Sequence, residues 1–383
     1  MKKIVLVALS ASLLFATNGD NLTGLGTKSR AMGGVGIATY FGAENTLTNP
    51  ALISQSKGTE FDFGSILFMP TIKTNGKKSK ADVSLMPEVS LSQHVNENIS
   101  FGLGMYGAAG MGVDYRGSGD ANLMDARTAL MLMKFAPSIA YHKNNFSVGF
   151  APVIQYGSLD IAYKSGTTQI GKGSSDDFGF GFETGLTYNV NRNFTVGLVY
   201  KSKINMTYKN TLSTASTPFA GILGSAFADK LTQPAEYGLG LSYNLNNFNL
   251  SFDYKKIKWG SATGYKDFGW VDQDVYMIGA KYEKDGTWYA LGYNHAKNPI
   301  TNYSTTAGNN KKAVLNMFNY LMFPATAEDH FSIGAGTKLG KNLTLGFNAM
   351  YSPNKIVNTT VTTGVFKVEH QETSAQISMK YMF

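Results

Sequence analysis

The residues of this chain best suited to acid–base chemistry near neutral pH are five histidines: His94, His142, His295, His330 and His370. The sequence contains no G-x-S-x-G elbow and no H-x-x-x-H pair, so neither an activated serine nor a metalloprotease site is indicated. Cysteine is absent, which excludes thiolate nucleophiles, disulfides and cysteine-ligated zinc. We therefore predict no catalytic residue, no metal site and no cofactor, and a lipase-like enzyme is kept only as a disfavoured alternative.

A ligand carboxylate would be bound by a cationic side chain. Lys201, Lys255, Lys281 and Lys338 lie in or beside segments that alternate like strands, but their spacing does not rank them. The formal net charge of +8 is scattered along the chain, without a basic face interleaved with aromatic residues, so nucleic-acid binding is not expected. Lysines in the predicted loops are expected either to contact lipopolysaccharide phosphates or simply to be exposed to water.

The elements that must position these side chains show a period of two. Between residues 178 and 190, Phe and other apolar residues alternate with Gly, Thr and Asn, and similar segments recur up to Phe383. A period of two places the two sets on opposite faces of a strand. Strands of about ten residues with one apolar face and one polar or small face are typical of transmembrane barrels, with lipid outside and a lumen inside.

The first residues predict export. Lys2 and Lys3 precede an apolar run that ends at Ala16 and is too short to span a bilayer as a helix. Residues 1–17 are therefore predicted to be a secretory signal peptide, with cleavage between positions 16 and 19. A composition of 42 Gly, 21 Tyr and 24 Phe with only 16% charged residues favours the outer membrane, because aromatic residues border a barrel's lipid-facing band.

The alternating segments predict fourteen strands, an even number as in bacterial single-chain barrels. Short connections such as Asn246-Asn247, rich in residues that tolerate positive φ, alternate with long ones. We therefore predict an all-β fold, a transmembrane antiparallel β-barrel over residues 59–383. The predicted long extracellular loops are residues 108–130, 205–234 and 296–327, with a shorter one at 353–370.

About forty residues before the first strand carry a second signal. Residues 30–34 read Arg-Ala-Met-Gly-Gly within a glycine-rich stretch, and residues 49–51 read Asn-Pro-Ala. Glycine permits close backbone packing, and Pro50 both removes a backbone donor and favours an extended residue before it. Arg30 would be costly to leave unpaired inside a barrel, so we expect it to meet a carboxylate such as Glu183 or Asp253.

These motifs resemble those of the FadL-type outer-membrane long-chain fatty acid transporters and their toluene and xylene channel relatives. Residues 30–34 and 49–51 are similar to that family's amino-terminal hatch, the plug folded into the barrel. Further similar segments, in family order, are 136–141, 233–243, 253–259 and 323–334. The chain departs from the family at residues 42–45, where relatives often carry adjacent acidic residues.

The resemblance implies a monomeric barrel in which residues 18–58 form the hatch. It implies uptake of hydrophobic compounds, most of all long-chain fatty acids, while monoaromatic hydrocarbons and alkanes stay open as alternatives. The implied partners are the substrate, outer-membrane lipid and lipopolysaccharide, and the barrel-assembly machinery. The residues implied in the hatch and its gating are Arg30, Gly33, Gly34, Asn49, Pro50 and Ala51. The resemblance also implies a lateral exit at a kink in the third strand, for which Gly102, Gly104 and Gly107 are the candidates.

Apolar residues at helical spacing in the long loops are candidate ligand contacts. Pro218 is predicted to open one loop helix, capped by Thr217. Such helices either roof the barrel or form a ligand groove, and both readings stay open. The candidates are Leu123, Met124, Phe219, Ile222, Leu223, Phe227, Val314, Leu315, Phe318, Leu321 and Met322.

Inward glycines on the strands are expected either to leave ligand space in the lumen or to mark bends. They include Gly149, Gly181, Gly185, Gly197, Gly238 and Gly240. A general diffusion porin is the weaker rival, because a porin has no need of forty residues before its first strand. We further hypothesise that an Arg30 ion pair holds the hatch shut and that ligand binding loosens the Asn49-Pro50 segment.

Overall fold

Fourteen long antiparallel strands form a closed barrel in the computed structural model of the chain, which describes residues 17–46, 48–171 and 173–383. Each strand pairs with its neighbours in chain order, and the last strand pairs with the first, for example Gln376 with Ile66. The predicted fold class and strand number are confirmed. The predicted signal peptide at residues 1–17 lies outside the described residues except for Thr17.

The strands are numbered in chain order. They are β1 (Thr59–Thr74), β2 (Ser84–Asn96), β3 (Ile99–Asp114), β4 (Arg127–Lys143), β5 (Phe146–Ser165), β6 (Ser175–Asn189), β7 (Phe194–Lys201), β8 (Glu236–Leu245), β9 (Phe248–Ile257), β10 (Gln273–Lys284), β11 (Thr287–Ala296), β12 (Asp329–Leu339), β13 (Leu343–Val361) and β14 (Gly364–Met382). Short strand pieces occur at Thr17–Asn18, Asn21–Leu22, Lys77–Lys78 and Thr168–Ile170.

Alternation along each strand separates a lipid-facing surface from a lumenal one. On β6, Phe178 and Phe180 are 61% and 71% exposed on the outer face, whereas Gly179 and Gly181 face the lumen. Among the described residues, no helix has both the length and the apolar character needed to cross a bilayer. The exposed apolar band is formed by alternate strand residues such as Phe178 and Phe180, as the period of two predicts.

Short turns close one end of the barrel, and the long loops lie at the other. Asn144, Asn246 and Asp285 adopt positive φ of 56°, 53° and 53° in these turns, as their residue types predict. Short periplasmic turns and long extracellular loops are the usual asymmetry of outer-membrane barrels. We therefore orient the long loops toward the cell exterior.

Two predicted loops are shorter than expected. The loop expected at 108–130 spans only residues 115–126, because the ladder between β3 and β4 continues to the pair Asp114 and Arg127. The segment expected to be a loop at 353–370 is mostly strand, since the ladder between β13 and β14 resumes after an irregularity between Ser352 and Lys355. β-Branched residues continue the alternation there, and Pro353 interrupts pairing without ending the strand.

Residues 17–46 and 48–58 lie inside the ring of strands and contact most of its circumference. Helix α1 (Thr27–Ala31) packs on β11 to β14. The 3₁₀ helix Ala43–Thr46 packs on β1 to β4, and the 3₁₀ helix Pro50–Gln55 packs mainly on β4, β5 and β6. We call residues 18–58 the hatch, and its first residues, Asn18 to Asn21, the hatch tip.

Helical segments of two long loops cover the extracellular end. The first runs through α2 (Leu212–Ser216), a 3₁₀ turn at Thr217–Phe219 and α3 (Ala220–Leu223). The prediction that Thr217 caps this helix is wrong, because helix starts earlier and the Thr217 hydroxyl donates back to the Ser213 carbonyl at 2.7 Å. The second consists of α4 (Lys311–Asn316) and a π-helical turn at Met317–Met322, which together form the predicted second helix.

Candidate functional site

Glycines on the barrel wall allow the hatch backbone to approach the strands directly. A Cβ at Gly149 would lie 2.2 Å from the amide nitrogen of Ala51, and one at Gly292 would lie 2.0 Å from that of Gly33. A Cβ at Gly197 would lie 2.2 Å from the Ile37 carbonyl oxygen. Distances this short exclude any side chain. The lumenal glycines therefore do not leave the ligand space expected of them, because the hatch fills it.

Loop residues fill the space above other glycines. A Cβ at Gly181 would lie 2.6 Å from Ile204, and one at Gly179 would lie 2.5 Å from both Ile204 and Met206. These two loop residues are buried, because the connection after β7 folds inward before it reaches α2. The lumen is thus filled by the hatch below and by a loop segment above, with small cavities between them.

The Asn-Pro-Ala motif anchors the hatch to the wall. Asn49 is extended and buried, and its Oδ1 accepts a hydrogen bond from the Ala51 amide at 3.0 Å, which caps the 3₁₀ helix that Pro50 begins. Its Nδ2 donates to the carbonyl of Ile37 at 2.7 Å and to that of Leu198 on β7 at 3.3 Å. One side chain therefore links two hatch segments and the barrel.

The predicted ion pair of Arg30 is wrong. The Arg30 guanidinium is fully buried and donates to the Ser374 hydroxyl at 2.7 Å and to the Gly24 carbonyl at 3.4 Å. Burial lowers its pKa, and the carboxylates of Glu88 and Glu372 oppose that shift. The two carboxylates proposed for Arg30 have other partners, because the hatch takes a different path past them.

Asp253 binds the hatch through its backbone instead. Its Oδ2 accepts hydrogen bonds from the amides of Gly36 at 2.7 Å and Ile37 at 2.9 Å. Two glycines of the Arg-Ala-Met-Gly-Gly motif, Gly33 and Gly34, have positive φ of 74° and 91°. They turn the chain from α1 toward this carboxylate, in a conformation that other residues rarely adopt.

An apolar cavity lies beneath the loop helices. Five aromatic residues line it together with aliphatic side chains and Asn319: the aromatic residues are Tyr265, Phe268, Trp270, Phe318 and Phe323, and the aliphatic ones are Met111, Leu159, Leu212 and Leu231. Of the candidate ligand contacts, only Phe318 lines this cavity. We call it the loop cavity.

The other candidate contacts build the walls behind the loop cavity. The rings of Phe219 and Phe227 pack against that of Phe318, with centroids 6.1 and 5.8 Å apart. Met124, Ile222 and Leu223 are partly buried against the same cluster. Buried within the roof are Leu123, Val314, Leu315, Leu321 and Met322. Both open readings of these helices thus have support, since they pack on each other and also enclose a cavity.

Sequence reasoning missed the aromatic floor of the loop cavity. Tyr265, Trp270 and Trp259 pack with ring centroids 4.6 to 5.1 Å apart. They come from the connection between β9 and β10, which is too irregular for a periodic pattern. The sequence signal that could have predicted this floor is the presence of four aromatic residues within positions 259–270.

The hatch tip separates the loop cavity from the lumen below. The Tyr265 hydroxyl and the Gln233 amide both donate to the Asp20 carboxylate, the latter at 3.2 Å. Burial raises the pKa of Asp20 to about 6, although these hydrogen bonds and the charge of Lys134 oppose the rise. The neighbouring Asn21 amide donates to Glu236 at 3.1 Å. The tip is therefore held from above and from below by side chains of different strands and loops.

A second, charged cavity lies beneath the tip. Its wall carries the side chains of Lys134, Glu183, Lys201, Glu236 and Lys255, from strands β4 and β6 to β9. Hatch residues complete the lining, among them Asn18, Asn21, Leu22, Leu25 and Ile37, with Tyr106 and Ala108 from β3. We call it the lumenal cavity. Of the four lysines considered for a carboxylate ligand, Lys201 and Lys255 face it, Lys281 pairs with Glu283, and Lys338 is exposed.

The barrel wall is interrupted beside the lumenal cavity. Pairing between β2 and β3 ends at Glu88 and Tyr106, and the ladder between β3 and β4 is irregular between Gly107 and Ala109. Beyond this point β3 pairs with β4 on one side only. On its other side, the hatch tip adds a hydrogen bond from the Gly110 amide to the Asp20 carbonyl at 3.0 Å. We call this interruption the wall gap.

The wall gap has defined borders. At its outer end, the loop after β1 reaches across to β3, where the Lys80 amide donates to the Asp114 carbonyl at 2.8 Å. Behind it, Leu22 of the hatch packs with Phe68 and Met86. Of the glycines considered for a lateral exit, Gly107 lies at the gap, whereas Gly102 and Gly104 lie in the regular ladder below it.

Two histidines form a buried cluster elsewhere in the lumen. His330 Nε2 and His370 Nε2 lie 2.9 and 3.1 Å from opposite oxygens of the Glu372 carboxylate. The amide of Thr17, the residue before the hatch, donates to the same carboxylate at 3.3 Å. This contact ties the chain immediately before the hatch to β14.

Known proteins resemble this chain in sequence and in fold. The family model described as "Outer membrane protein transport protein (OMPP1/FadL/TodX)" matches residues 5–383. The long-chain fatty acid transport protein of Escherichia coli O6:H1 is 22% identical over 350 residues, which cover 75% of this chain and 78% of that protein.

Solved structures show the same barrel. The toluene transporter TodX of Pseudomonas putida superimposes with a TM-score of 0.71 at 18% identity, covering 96% of this chain and all of that one. A FadL homologue of Pseudomonas aeruginosa superimposes with a TM-score of 0.71 at 14% identity, covering 95% of this chain and 100% of that one. At these identities the structural likeness establishes the fold.

Proposed function

Because this chain belongs to the OMPP1/FadL/TodX family of outer membrane transport proteins, we propose that it imports long-chain fatty acids by a relay of pockets. The ligand enters the loop cavity, passes the hatch tip into the lumenal cavity, and leaves through the wall gap into the bilayer. Import of hydrophobic substrates across the outer membrane is the activity of the family. The identity of the substrate and this route through the protein are the proposal.

The observation that carries the proposal is the position of the wall gap beside a lumen that the hatch fills. A hydrophobic ligand that entered from the loops meets Asn21 and the surrounding hatch before it meets any continuous path to the periplasm. Burial of one methylene stabilises by about 0.8 kcal/mol, so a sixteen-carbon chain would lose roughly 12 kcal/mol of favourable contact in open water. A sideways exit delivers the hydrocarbon chain to the bilayer without a passage through open water.

The alternative substrates are monoaromatic hydrocarbons or alkanes. They need the same apolar loop cavity, and a toluene transporter shares the fold. Fatty acids are placed first because a named fatty acid transporter matches this chain over three quarters of its length. An enzymatic role is not part of the proposal, since the family consists of transport proteins.

The hatch is proposed to gate the relay. Asn49 is the residue best placed for this role, because it joins the hatch to β7 and caps the 3₁₀ helix at Pro50. Arg30 contributes through Ser374 and not through an ion pair. We also propose that the protein is a monomer assembled by the barrel-assembly machinery, with exposed lysines such as Lys311 and Lys312 facing lipopolysaccharide.

Uptake of radiolabelled oleate by cells that lack their own fatty acid importer tests the proposal. We expect the parent protein to restore uptake and an Asn49→Ala variant to lose it while remaining heat-modifiable and surface-exposed. Labelled toluene and hexadecane are assayed in parallel. Uptake of these neutral compounds without oleate would select the alternative, and uptake of none of the three by a correctly assembled barrel would refute the relay.

A further inference from the structure

One carboxylate and two histidines form a buried cluster that the proposed transport route does not use: Glu372, His330 and His370. The backbone nitrogen of Thr17 lies 3.3 Å from its carboxylate. We propose that a signal peptidase cleaves the chain between Ala16 and Thr17, and that the α-ammonium group released there is the cation that neutralises Glu372. The inference goes beyond the import function and does not depend on the substrate.

The histidines of this cluster do not balance the carboxylate. His370 Nδ1 accepts a hydrogen bond from the Thr326 amide at 3.4 Å, so its ring proton is on Nε2, 3.1 Å from Glu372 Oε1. His330 Nε2 lies 2.9 Å from Oε2, and its Nδ1 has no hydrogen-bond partner among the described residues. A second proton on that nitrogen would be buried without an acceptor, which is costly. Both imidazoles are therefore neutral donors, and the cluster keeps one negative charge.

Arg30 does not supply the missing positive charge alone. Its guanidinium donates to the Ser374 hydroxyl and the Gly24 carbonyl, and not to the cluster. Its charge acts on both Glu88 and Glu372. One guanidinium thus serves two carboxylates, and one further positive charge would balance them.

The wider set of lumenal charges on this side of the barrel has the same sign. Within the part of the chain that the structure describes, six carboxylates act on one another or on four cations. The carboxylates are Glu44, Glu60, Asp62, Glu88, Glu283 and Glu372, and the cations are Lys28, Arg30, Lys281 and Lys380. Burial raises the pKa of Glu44 well above its usual range, and without its charge five carboxylates still face four cations.

A short hairpin fixes the position of the Thr17 nitrogen. Thr17 pairs with Leu22, and Asn18 pairs with Asn21, which in turn pairs with β3. Thr17 itself is 2% exposed. The sequence allows cleavage at any bond between positions 16 and 19. Only a cut before Thr17 leaves the new α-nitrogen in contact with Glu372, because the hairpin carries the following residues away from β14.

Cleavage changes the donor from an amide to an ammonium group. Hydrolysis breaks the bond between the Ala16 carbonyl carbon and the Thr17 nitrogen. Water gives a hydroxyl group to the carbonyl carbon and a proton to the nitrogen, which takes one more proton from solvent. The nitrogen then has three N–H donors and a full charge, and a charged pair is stronger than an amide–carboxylate hydrogen bond. Asn18 Oδ1, a buried acceptor without a partner among the described residues, is available on the next residue.

Removal of the leader thereby becomes a condition for seating the hatch. In the precursor, Thr17 offers Glu372 one amide hydrogen and no charge, and a buried carboxylate without a counterion is costly. In the processed chain, the ion pair fixes the residue before the hatch tip to β14. The hatch is therefore fully anchored only after export.

Mass spectrometry of the protein purified from outer membranes identifies its first residue, which we expect to be Thr17. Access to the α-amine is then measured by reductive methylation of the folded protein with formaldehyde and cyanoborohydride. After unfolding, the remaining amines are methylated with a deuterated reagent. Lys311 and Lys312 are the internal references, because both are exposed. We expect the α-amine to react at least tenfold more slowly than these lysines.

Glu372→Gln separates an ion pair from simple burial. Glutamine keeps the size of the side chain and removes its charge, so we expect the α-amine to react roughly tenfold faster than in the parent, the effect of losing a hydrogen bond to a charged group. Glu369→Gln is the matched control, because this residue lies on the opposite face of β14 and pairs with Lys367. It should leave the rate unchanged. Both variants are first checked for heat-modifiability.

A mature chain that begins at Asn18 or Gly19, or one that keeps its leader, would overturn the inference. An α-amine that reacts as fast as the reference lysines in the parent would overturn it too, and neither result needs a variant. Unchanged protection in an assembled Glu372→Gln protein would show shielding without an ion pair and refute the counterion. Import is not measured in these experiments, so their failure leaves the proposed function standing.

Discussion

At the scale of single residues, hydrogen bonds to backbone groups do more than ion pairs to hold the hatch. Asp253 accepts from two hatch amides, and Asn49 bonds three carbonyls and an amide. Arg30, whose charge suggested an ion pair, bonds a hydroxyl and a carbonyl. Polar side chains can reach the hatch backbone because neighbouring glycines on the barrel wall, such as Gly197 and Gly240, carry no side chain that would hold the hatch away.

Replacement of Asp253 by alanine is expected to loosen the hatch. The change leaves the amides of Gly36 and Ile37 buried without an acceptor, at a cost of about 1–3 kcal/mol each. Hydrogen–deuterium exchange of the peptide that contains these two amides should accelerate in Asp253→Ala. Asp253→Asn keeps one acceptor oxygen of the same shape and serves as the control; equal exchange in all three proteins would contradict the assigned role.

At the scale of elements, glycines on the strands form a surface without side chains on which the hatch backbone packs. Gly149 on β5, Gly197 on β7 and Gly292 on β11 each meet hatch backbone at distances that no side chain could occupy. The high glycine content of the chain therefore has a packing reason in the lumen. It also ties the position of the hatch to the register of at least three strands, since a shift of one residue would present a side chain.

A methyl group at Gly292 is expected to displace the hatch without preventing barrel closure. The added Cβ would lie 2.0 Å from the Gly33 nitrogen and 2.1 Å from the Met32 carbonyl carbon, and neither backbone atom can rotate away. Gly292→Ala should remain heat-modifiable but show faster proteolysis of the hatch and higher conductance in planar bilayers.

The matched control for this change is Gly221→Ala in α3. A Cβ there meets nothing within 4 Å, and the helical backbone suits alanine. Parental conductance in Gly292→Ala would show that the hatch adapts to the methyl group and would contradict direct backbone packing as its anchor.

At the scale of the whole molecule, the proposed route rests on where the barrel is filled and where its wall is interrupted. The hatch contacts nearly the full circumference below, and the loop helices cover the top. The wall gap between β2 and β3 lies between these two, next to the lumenal cavity. The proposed route therefore leads sideways through the wall gap and not along the barrel axis.

A bulky side chain in the wall gap is expected to stop transport after binding. Ala108 lies in the irregular part of β3 and lines the lumenal cavity, so Ala108→Trp should fill the opening. Oleate uptake should fall to the level of cells without an importer, while oleate binding to the purified protein should persist because the loop cavity is untouched.

Ala335→Trp on β12 is the control, since this alanine pairs with Phe347 on the lipid-facing side of the opposite wall. It should import at the parental rate. Parental uptake in Ala108→Trp would place the exit elsewhere, and a loss of both uptake and binding would indicate misassembly.

The sequence alone could predict the barrel, because alternation is a local property. Each strand shows its own two faces within ten residues, and turn residues such as Asn144 and Asn246 mark where strands end. The errors occurred where local signals conflict with long-range pairing. Residues 353–370 were predicted to be a loop, yet β13 continues past Pro353, because its ladder with β14 resumes at Lys355 and His370.

The hatch motif could likewise be recognised in the sequence, but the hydrogen-bond partners of its residues could not be predicted. Arg30, Asp253 and Glu183 are all visible in the sequence as buried charges in need of partners. Which pairs form depends on where α1 and the following turn lie relative to each strand. Side chains separated by more than a hundred residues approach each other only through the closure and register of the barrel.

The sequence by itself thus determined the class of fold, the fourteen strands and the apolar character of the loops. Tertiary structure alone decided that glycines receive the hatch, that β2 and β3 separate at Gly107, and that Tyr106 and Lys255 face one cavity. The physical reason is that periodicity is encoded between neighbours along the chain, whereas cavities and gaps arise from the packing of segments that only the closed barrel brings together.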